Sequence, residues 1–360
     1  MGTMAKKSIR TTSFDVAALA GVSQSAVSRA FTPGSSIKAT TRDKILEAAR
    51  KLNYVPNSIA SSLTKNRSSI VAVILGTLSN PFYVHTLHAF SQELQKLGRQ
   101  TLTLTLSDTM DTDEAILKVL QYQVEAVILT SAQLSTRMIN LCHDRGIPVV
   151  LFNRYIPHSD VYGVRCDNVS GGRMVADAFL AAGARSFMMI TGEANGSTSQ
   201  DRVRGFVERV LEAGIPRSAI SSYPGLRSYE GGAAAVDMHV AAGHEIPDAI
   251  FGIADVMAMG AMDALRYRYG KRVPEDVMVA GFDGIPEGGR PPYQLTTVRQ
   301  PVAEMVTETL NLLNFDGARE PEELTRDRPI AGEMIWRATV PRPARAEPAP
   351  VAVAPEASAG

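Results

Sequence analysis

From Ile70 onward the chain alternates short apolar runs with longer stretches of helical periodicity, and that alternation leaves few folds open. The runs are Ile70–Leu75, Thr101–Leu106, Ala126–Thr130, Val149–Asn153, Gly163–Cys166, Phe187–Thr191, Ala249–Ile253 and Val277–Phe282. Between the first two, Val84, Leu87, Phe90, Leu94 and Leu97 form one stripe, predicting a helix over Tyr83–Leu97. Continuous apolar strands separated by helices mean parallel sheets covered on both faces. A stretch of about 270 residues exceeds one ordinary sheet, so two similar α/β lobes are expected. In such sheets ligands bind beyond the carboxyl ends of the strands. Those ends carry Ser79 to Tyr83, Asn153-Arg154, Asp167-Asn168, Gly192-Glu193, Asp255 and Asp283. Hydroxyl, amide and carboxylate groups around an aromatic pair suit a polyol or sugar.

Ahead of this region the texture is different. Residues 12–31 read as two short helices joined by a tight turn, with Ala17 where the helices touch, Gly21 at a positive-φ turn and Val27 packing the second helix on the first. Ser23 caps the second helix with its hydroxyl. Gln24, Ser25 and Arg29 then face outward while Val27 and Phe31 face inward, which is how a helix-turn-helix presents a helix to the DNA major groove. An ordinary helical hairpin gives the same pattern, and charge discriminates. Residues 1–67 hold eleven Lys and Arg against three acids, an excess of eight that a neutral whole-chain balance hides. A basic head on an acidic body is the footprint of phosphate binding. Thr40 and Asp43 resemble a capping box opening a third helix with Ile45, Leu46, Ala49 and Leu52 on its apolar face. Residues 57–63 read as a further short helix, marginal alone and so expected to order only on DNA.

Composition excludes other classes. No apolar run is long enough to span a bilayer and none follows the basic N-terminus, so neither a membrane span nor a secretory signal is expected, and the compartment reads as cytoplasmic. Cys142 and Cys166 are the two cysteines, far apart, which argues against a disulfide scaffold or a zinc site. His85 and His88 share a helix face but lack a third ligand and read as solvated. Asp108, Asp111 and Asp113 lack the glycine and glutamate of a calcium loop and read as helix caps. No nucleophile elbow, Walker loop or dinucleotide fingerprint follows a strand, so no catalytic residue, metal or cofactor is expected.

Taken together, Asp15-Val16-Ala17, Ala20-Gly21-Val22-Ser23 and Val27-Ser28-Arg29; Tyr54, Pro56, Asn57, Ala60 and Leu63; Ser79-Asn80-Pro81-Phe82; Asp167-Asn168 with Gly171-Gly172; Arg202 with Gly205-Phe206; Gly281-Phe282-Asp283; and Leu295 to Pro301 closely resemble the LacI/GalR family of bacterial transcription regulators. The resemblance covers nearly the whole chain. It implies a helix-turn-helix head, a hinge helix and an α/β two-lobed core like that of periplasmic sugar-binding proteins, with three chain crossovers joining the lobes. The expected divisions are a disordered basic arm over 1–11, the head over 12–56, a hinge over 57–67, the effector-binding and dimerisation core over 68–340, and a disordered tail over 341–360. Within the core the N-lobe takes 68–165 and 299–328, and the C-lobe 166–298 and 329–340.

The same resemblance implies a homodimer on a near-palindromic double-stranded DNA operator and control by a small sugar, sugar acid or sugar phosphate. It assigns Gln24, Ser25 and Arg29 to base edges, adds Ser23, Ser28 and Asn57 to the DNA-contacting positions, and makes Leu63 the wedge that opens a base step from the minor groove. Effector positions fall on Phe82, Asn153, Arg202, Arg227, Asp255 and Asp283. Three departures from the family pattern stand out. Ala254 precedes Asp255 where an Asn is frequent, Arg227 replaces a stacking aromatic ring, and Ser61 follows Ala60 in place of an arginine.

Each effector position has a plainer reading. Arg202 is either a ligand clamp or half of an interlobe salt bridge, Arg227 either binds ligand or pairs with Glu230, and Asp255 and Asp283 either bind or cap helices. Two arginines in one cleft favour an anionic sugar over a neutral one. A transport-associated solute-binding protein of the same two-lobed fold is the competing class. The basic head and the absence of a signal sequence weigh against it.

Overall fold

The computed structural model describes residues 11–32, 34–55, 68–76, 78–107, 110–130, 134–156, 161–192, 196–315 and 327–342. The arm over 1–10, Pro33, the hinge with Asn57 and Leu63, and the tail from 343 lie outside the described residues. The chain divides into two compact units, a head and a core.

In the head, α1 spans Ser13–Ala20, α2 Gln24–Ala30 and α3 Ala39–Lys51. Thr12 and Asp15 close a capping box at the start of α1: the Thr12 hydroxyl accepts from the Asp15 N–H, and the Asp15 carboxylate accepts from the Thr12 N–H at 2.8 Å. Gly21 ends α1 at φ 65°, the left-handed value that a side chain would strain, and so turns the chain into α2. Ser23 caps α2 by accepting from the Ala26 N–H. Val16, Ala17, Val27, Ala30, Ile45, Ala48 and Ala49 make a small shared core, and Phe31 lies edge-on to Tyr54 at its rim. The third helix begins one residue before the expected Thr40. Lys38 stands at its N-cap without a side-chain hydrogen bond, so Thr40 is already inside the first turn, Asp43 lies beyond it, and the expected capping box does not form.

The core holds two six-stranded sheets. The strands are β1 Ile70–Leu75, β2 Gln100–Thr105, β3 Ala126–Leu129, β4 Val149–Phe152, β5 Tyr162–Cys166, β6 Phe187–Thr191, β7 Ile220–Pro224, β8 Ala249–Gly252, β9 Met278–Asp283, β10 Thr296–Arg299, β11 Asp327–Ile330 and β12 Glu333–Ile335. The N-lobe sheet runs β11-β5-β4-β3-β1-β2 and the C-lobe sheet β12-β10-β9-β8-β6-β7. In the first, β11, β5, β4, β3 and β1 are parallel; in the second only the edge strand β12 is antiparallel. The helices are α4 Pro81–Lys96, α5 Thr112–Leu120, α6 Thr136–Asp144, α7 Asn168–Ala181, α8 Ser197–Glu212, α9 Tyr229–Ala241, α10 Asp255–Tyr267 and α11 Val302–Leu313. None is long and apolar enough to cross a membrane.

The central strands are buried along their length, as their unbroken apolar runs require. Helix α4 is rotated from the expected stripe. It buries Phe82, Tyr83, Thr86, Phe90 and Leu94, with Phe90 edge-on against Phe152 of β4 at 4.9 Å, and leaves Val84, and Leu97 just past its end, about half exposed. Three crossovers join the sheets: β5 into α7, β10 into α11, and β11 into β12. The first and third lie side by side, the Asp167 N–H donating to Ile330 O at 2.7 Å, and the second is tied to the end of β9, the Gln300 N–H donating to Asp283 O at 3.2 Å.

Candidate functional site

The exposed surface of α2 is polar and its buried surface aliphatic. Ser23, Gln24, Ser25, Ser28 and Arg29 are exposed, while Val27 and Ala30 are buried. The Ser25 hydroxyl lies 2.9 Å from that of Ser23, and the Gln24 amide donates to Ser13 Oγ at 3.3 Å, so the start of α2 forms a patch of hydroxyls and an amide. Arg29, one turn on, adds a guanidinium in a fork that matches guanine or phosphate.

In the core, a cleft lies between the sheets at the carboxyl ends of their strands. Two connected compartments share Phe82 and Asp283. The inner one, of about 20 Å³, is bounded by Asn80, Tyr83, Asn153, Arg202, Arg227 and the α8 residues Thr198 and Ser199, among others. The outer one, of about 500 Å³, runs along Phe82, Ile285, Pro286, Pro301 and Val302, with His85 and Glu304 at its rim.

Helix packing sets the inner wall. A Cβ on Gly172 would lie 2.3 Å from Arg202 O, and one on Gly205 2.1 Å from Val169 O, so α7 and α8 touch backbone to backbone. That contact brings Arg202 beneath α7, where its Nε donates to Asn168 Oδ1 at 2.8 Å. Its Nη1 donates to Ile253 O at 2.6 Å and to Asp283 Oδ1 at 3.1 Å, and its guanidinium lies 3.7 Å from the centre of the Phe282 ring. Of the two readings of Arg202, the interlobe salt bridge does not form. Its carboxylate partner belongs to the same lobe.

Asp283 is the hub of the cleft. Besides Arg202, its Oδ1 accepts from Gln300 Nε2 at 2.7 Å, and its Oδ2 accepts from Asn80 Nδ2 at 2.9 Å. The last of these bonds joins the lobes. Others do the same around the cleft: Arg154 Nη1 donates to Thr198 Oγ1 at 3.0 Å, the Tyr155 hydroxyl to Asp201 Oδ1 at 3.3 Å, and His85 Nε2 lies 3.3 Å from the Glu287 carboxylate. Arg165 reaches Asp201 at 3.5 Å while forming a fork with Asp327. Burial raises the Asp201 carboxyl against the pull of Arg165 and Arg204.

Asp255 stands apart from the other expected effector positions. It is fully buried and borders neither compartment; its Oδ1 accepts from the Thr297 hydroxyl at 2.5 Å and its Oδ2 from the Ile285 N–H at 2.8 Å. Burial, and then the charge of Asp283, push its pKa up to about 7. Phe82, Asn153, Arg202, Arg227 and Asp283 do converge on the inner compartment. Three of those five, Asn153, Arg227 and Asp283, hold positive φ angles of 56°, 52° and 126°. Strained backbone in non-glycine residues collects where the surroundings over-determine it, commonly at binding sites. Asn80, Tyr83, Thr198, Ser199 and Gln300 also line the cleft without having been singled out as effector positions. Asn80 and Tyr83 were legible, since they sit in the polar group after β1. Thr198 and Ser199 follow no recognisable signal.

Two family models match. Residues 14–57 fit "Bacterial regulatory proteins, lacI family", and residues 68–312 fit "Periplasmic binding proteins and sugar binding domain of LacI family". The ribose operon repressor of Halalkalibacterium halodurans is 30% identical over 330 residues, covering 91% of this chain and 97% of that protein. The regulator DegA of Bacillus subtilis is 30% identical over 306 residues, 83% of this chain and 89% of its own. Among solved structures, a complex of the transcriptional regulator CelR with cellobiose superposes with TM-score 0.66 at 26% identity, covering 92% of this chain and 100% of that one. The Lac repressor dimer bound to operator and the anti-inducer ONPF shares the fold with TM-score 0.79 at 22% identity, over 91% and 98% of the two chains. The chain belongs to the LacI family and is a DNA-binding transcriptional regulator.

Proposed function

We propose that the chain acts in the cytoplasm as a homodimer that represses transcription from an inverted-repeat operator, and that a small polar molecule held between the lobes controls it. The observation that carries the DNA half is the exposed row Gln24, Ser25 and Arg29 on a capped helix whose opposite side is buried. Gln24 and Arg29 read base edges, Ser23, Ser28 and Asn57 contact the backbone, and Leu63 wedges a base step from the minor groove. Two copies related by a two-fold axis read two half-sites.

The control half is supported by the cleft and by the bonds that cross it. A ligand shifts the balance between lobe arrangements only through its different affinity for each, and Asp283 and Asn80 are where that difference arises. Relatives named for a ribose operon and for a cellobiose complex favour a hydroxylated effector. Within the site, Arg202 and Asp283 act as a neutralised pair that orients hydroxyls, and Asp255 braces the loop behind them.

Selection of operator sequences from a randomised pool, followed by titration at several salt concentrations, tests the DNA half. A palindromic consensus and a steep fall of affinity with salt are expected. Arg29→Ala relaxes base preference, about 1–3 kcal/mol at the affected position, while Lys44→Ala weakens all sequences alike. Equal affinity for the selected site and for random DNA would refute the reading.

A further inference from the structure

Accepting the interlobe cleft as the effector site, we infer that its ligand is amphipathic: a hydroxylated head at the inner compartment joined to an apolar alkyl or aryl substituent that fills the outer one, between Phe82, Ile285, Pro286, Pro301 and Val302.

Space is the first ground. At about 20 Å³ the inner compartment admits little more than a water molecule, whereas the outer one holds about 500 Å³ and shares Phe82 and Asp283 with it. A ligand anchored at the inner end therefore has most of its volume in the outer compartment. The lining there decides what that part is made of.

That lining is the second ground. From Phe82 across to Val302 it presents a phenyl ring, two branched aliphatic side chains and two prolines. Proline has no N–H to offer a hydroxyl, and the N–H groups of the two aliphatic residues are already engaged, Ile285 donating to Asp255 Oδ2 at 2.8 Å and Val302 to Gln300 O at 2.9 Å. The charged groups around the compartment are occupied as well. Asp283 is held by Arg202, Gln300 and Asn80, His85 lies 3.3 Å from Glu287, and Arg299 pairs with Glu333 at 2.5 Å. Glu304 stands exposed at the mouth, where a ligand meets water. A hydroxyl pressed against the wall would give up its hydration and gain no partner, whereas an alkyl or aryl group gains by leaving water.

The polar end is fixed by acceptors that lack donors. Gln300 Oε1 and Asn153 Oδ1 are both buried with no hydrogen-bond partner among the described residues, the first on the amide that donates to Asp283 and the second in the inner compartment. Buried acceptors of this kind call for donors, which the hydroxyls of the head supply. With the head held there, the substituent points along the outer compartment.

The placement also gives the substituent a part in control. Phe82 comes from the N-lobe, Ile285 and Pro286 follow β9 of the C-lobe, and Pro301 and Val302 belong to the crossover into α11. An apolar group among them is covered from both sides only when the lobes approach each other. Its burial then differs between lobe arrangements, and that difference couples occupancy to operator binding.

The test uses the full-length protein and graded probes: glucose, galactose and ribose, each as the free sugar and as its methyl, propyl, butyl and phenyl β-glycosides. Calorimetric affinity and operator affinity are both read. For the sugar that fits, affinity rises about fourfold with each methylene, about sixtyfold from methyl to butyl, and the phenyl glycoside exceeds the methyl one by at least about tenfold. Val302→Thr keeps the shape of the wall and adds a hydroxyl, and Pro286→Ser alters an exposed residue; each reduces the gain to less than about twofold per methylene. A flat series, in which the free sugar binds as tightly as its butyl and phenyl glycosides, overturns the inference while leaving the effector reading intact. A rising series unchanged in both variants places the substituent elsewhere and overturns it too, as does failure of every probe to bind. A phenyl glycoside that binds tightly without altering operator affinity sinks the effector reading instead and leaves the apolar site standing.

Discussion

Asp255→Asn separates a structural carboxylate from a ligand-binding one. The side chain is fully buried and accepts from Thr297 and from the Ile285 N–H, and its pKa rises from an ordinary 3.8 to about 7. The folded state therefore holds this proton more tightly than the unfolded chain does. Its stabilising contribution is fully present below about pH 3.8 and is lost as pH rises through about 7. About three pK units at about 1.4 kcal/mol each make this loss about 4 kcal/mol. An asparagine carries no such proton, and its carbonyl keeps the bond to Ile285. Its NH₂ donates to the Thr297 oxygen, turning that hydroxyl toward Val298 O at 3.5 Å, a poor bond that costs about 1 kcal/mol. At pH 8 the variant is more stable than the wild type by about 2–3 kcal/mol, and at pH 4 it is less stable by about 1 kcal/mol. Urea unfolding of both proteins across this range measures the difference, in which all other titrating groups cancel. Parallel stability curves would show that Asp255 keeps its charge in the folded state. A variant that loses effector binding while gaining stability would return Asp255 to the ligand.

Two further outcomes follow from the packing. Gly205→Ala places a methyl group about 2 Å from the Val169 carbonyl, which cannot rotate away, so α7 and α8 separate and thermal unfolding shows a loss of about 2–3 kcal/mol; a loss below about 0.5 kcal/mol would mean that the helices slide freely. Asn80→Ala removes the cross-lobe bond to the Asp283 carboxylate, worth about 1.5–3 kcal/mol, so the ratio of open to closed lobes rises about tenfold or more, read from distances between spin labels on the two lobes. An unchanged distance distribution would show that the remaining bridges hold the cleft by themselves.

What could be read from the sequence follows from the range of the interactions involved. The central strands announced themselves because each is buried on both faces and carries an unbroken apolar run. The strands β7, β10, β11 and β12 did not, since three lie at sheet edges and β10 next to one, and all carry Ser, Thr, Arg, Glu or Pro that break an apolar run. In the head Gly21 and Ser23 were legible because each acts on backbone within three or four residues, whereas the cap at Thr12 was not singled out and the expected box of Thr40 and Asp43 does not form. The orientation of Asp255 was not. It sits where a strand ends and a helix begins, a place that suits ligand binding and capping equally, and what turns it inward lies far away in the chain. A Cβ on Gly281 would lie 2.1 Å from its Oδ1, so the bare glycine of β9 makes the space that the carboxylate occupies, and Thr297 of β10 supplies the donor.

The same long-range logic gives Asp283 its place. It ends β9 in a strained conformation and accepts from α8, from the second crossover and from the N-lobe through three different side chains. Take a ligand hydroxyl that displaces the Asn80 amide from its Oδ2. Occupancy of the cleft and contact between the lobes are then alternatives at one oxygen atom, and a molecule that binds there changes the lobe equilibrium by the difference between its own bond and the one it displaces.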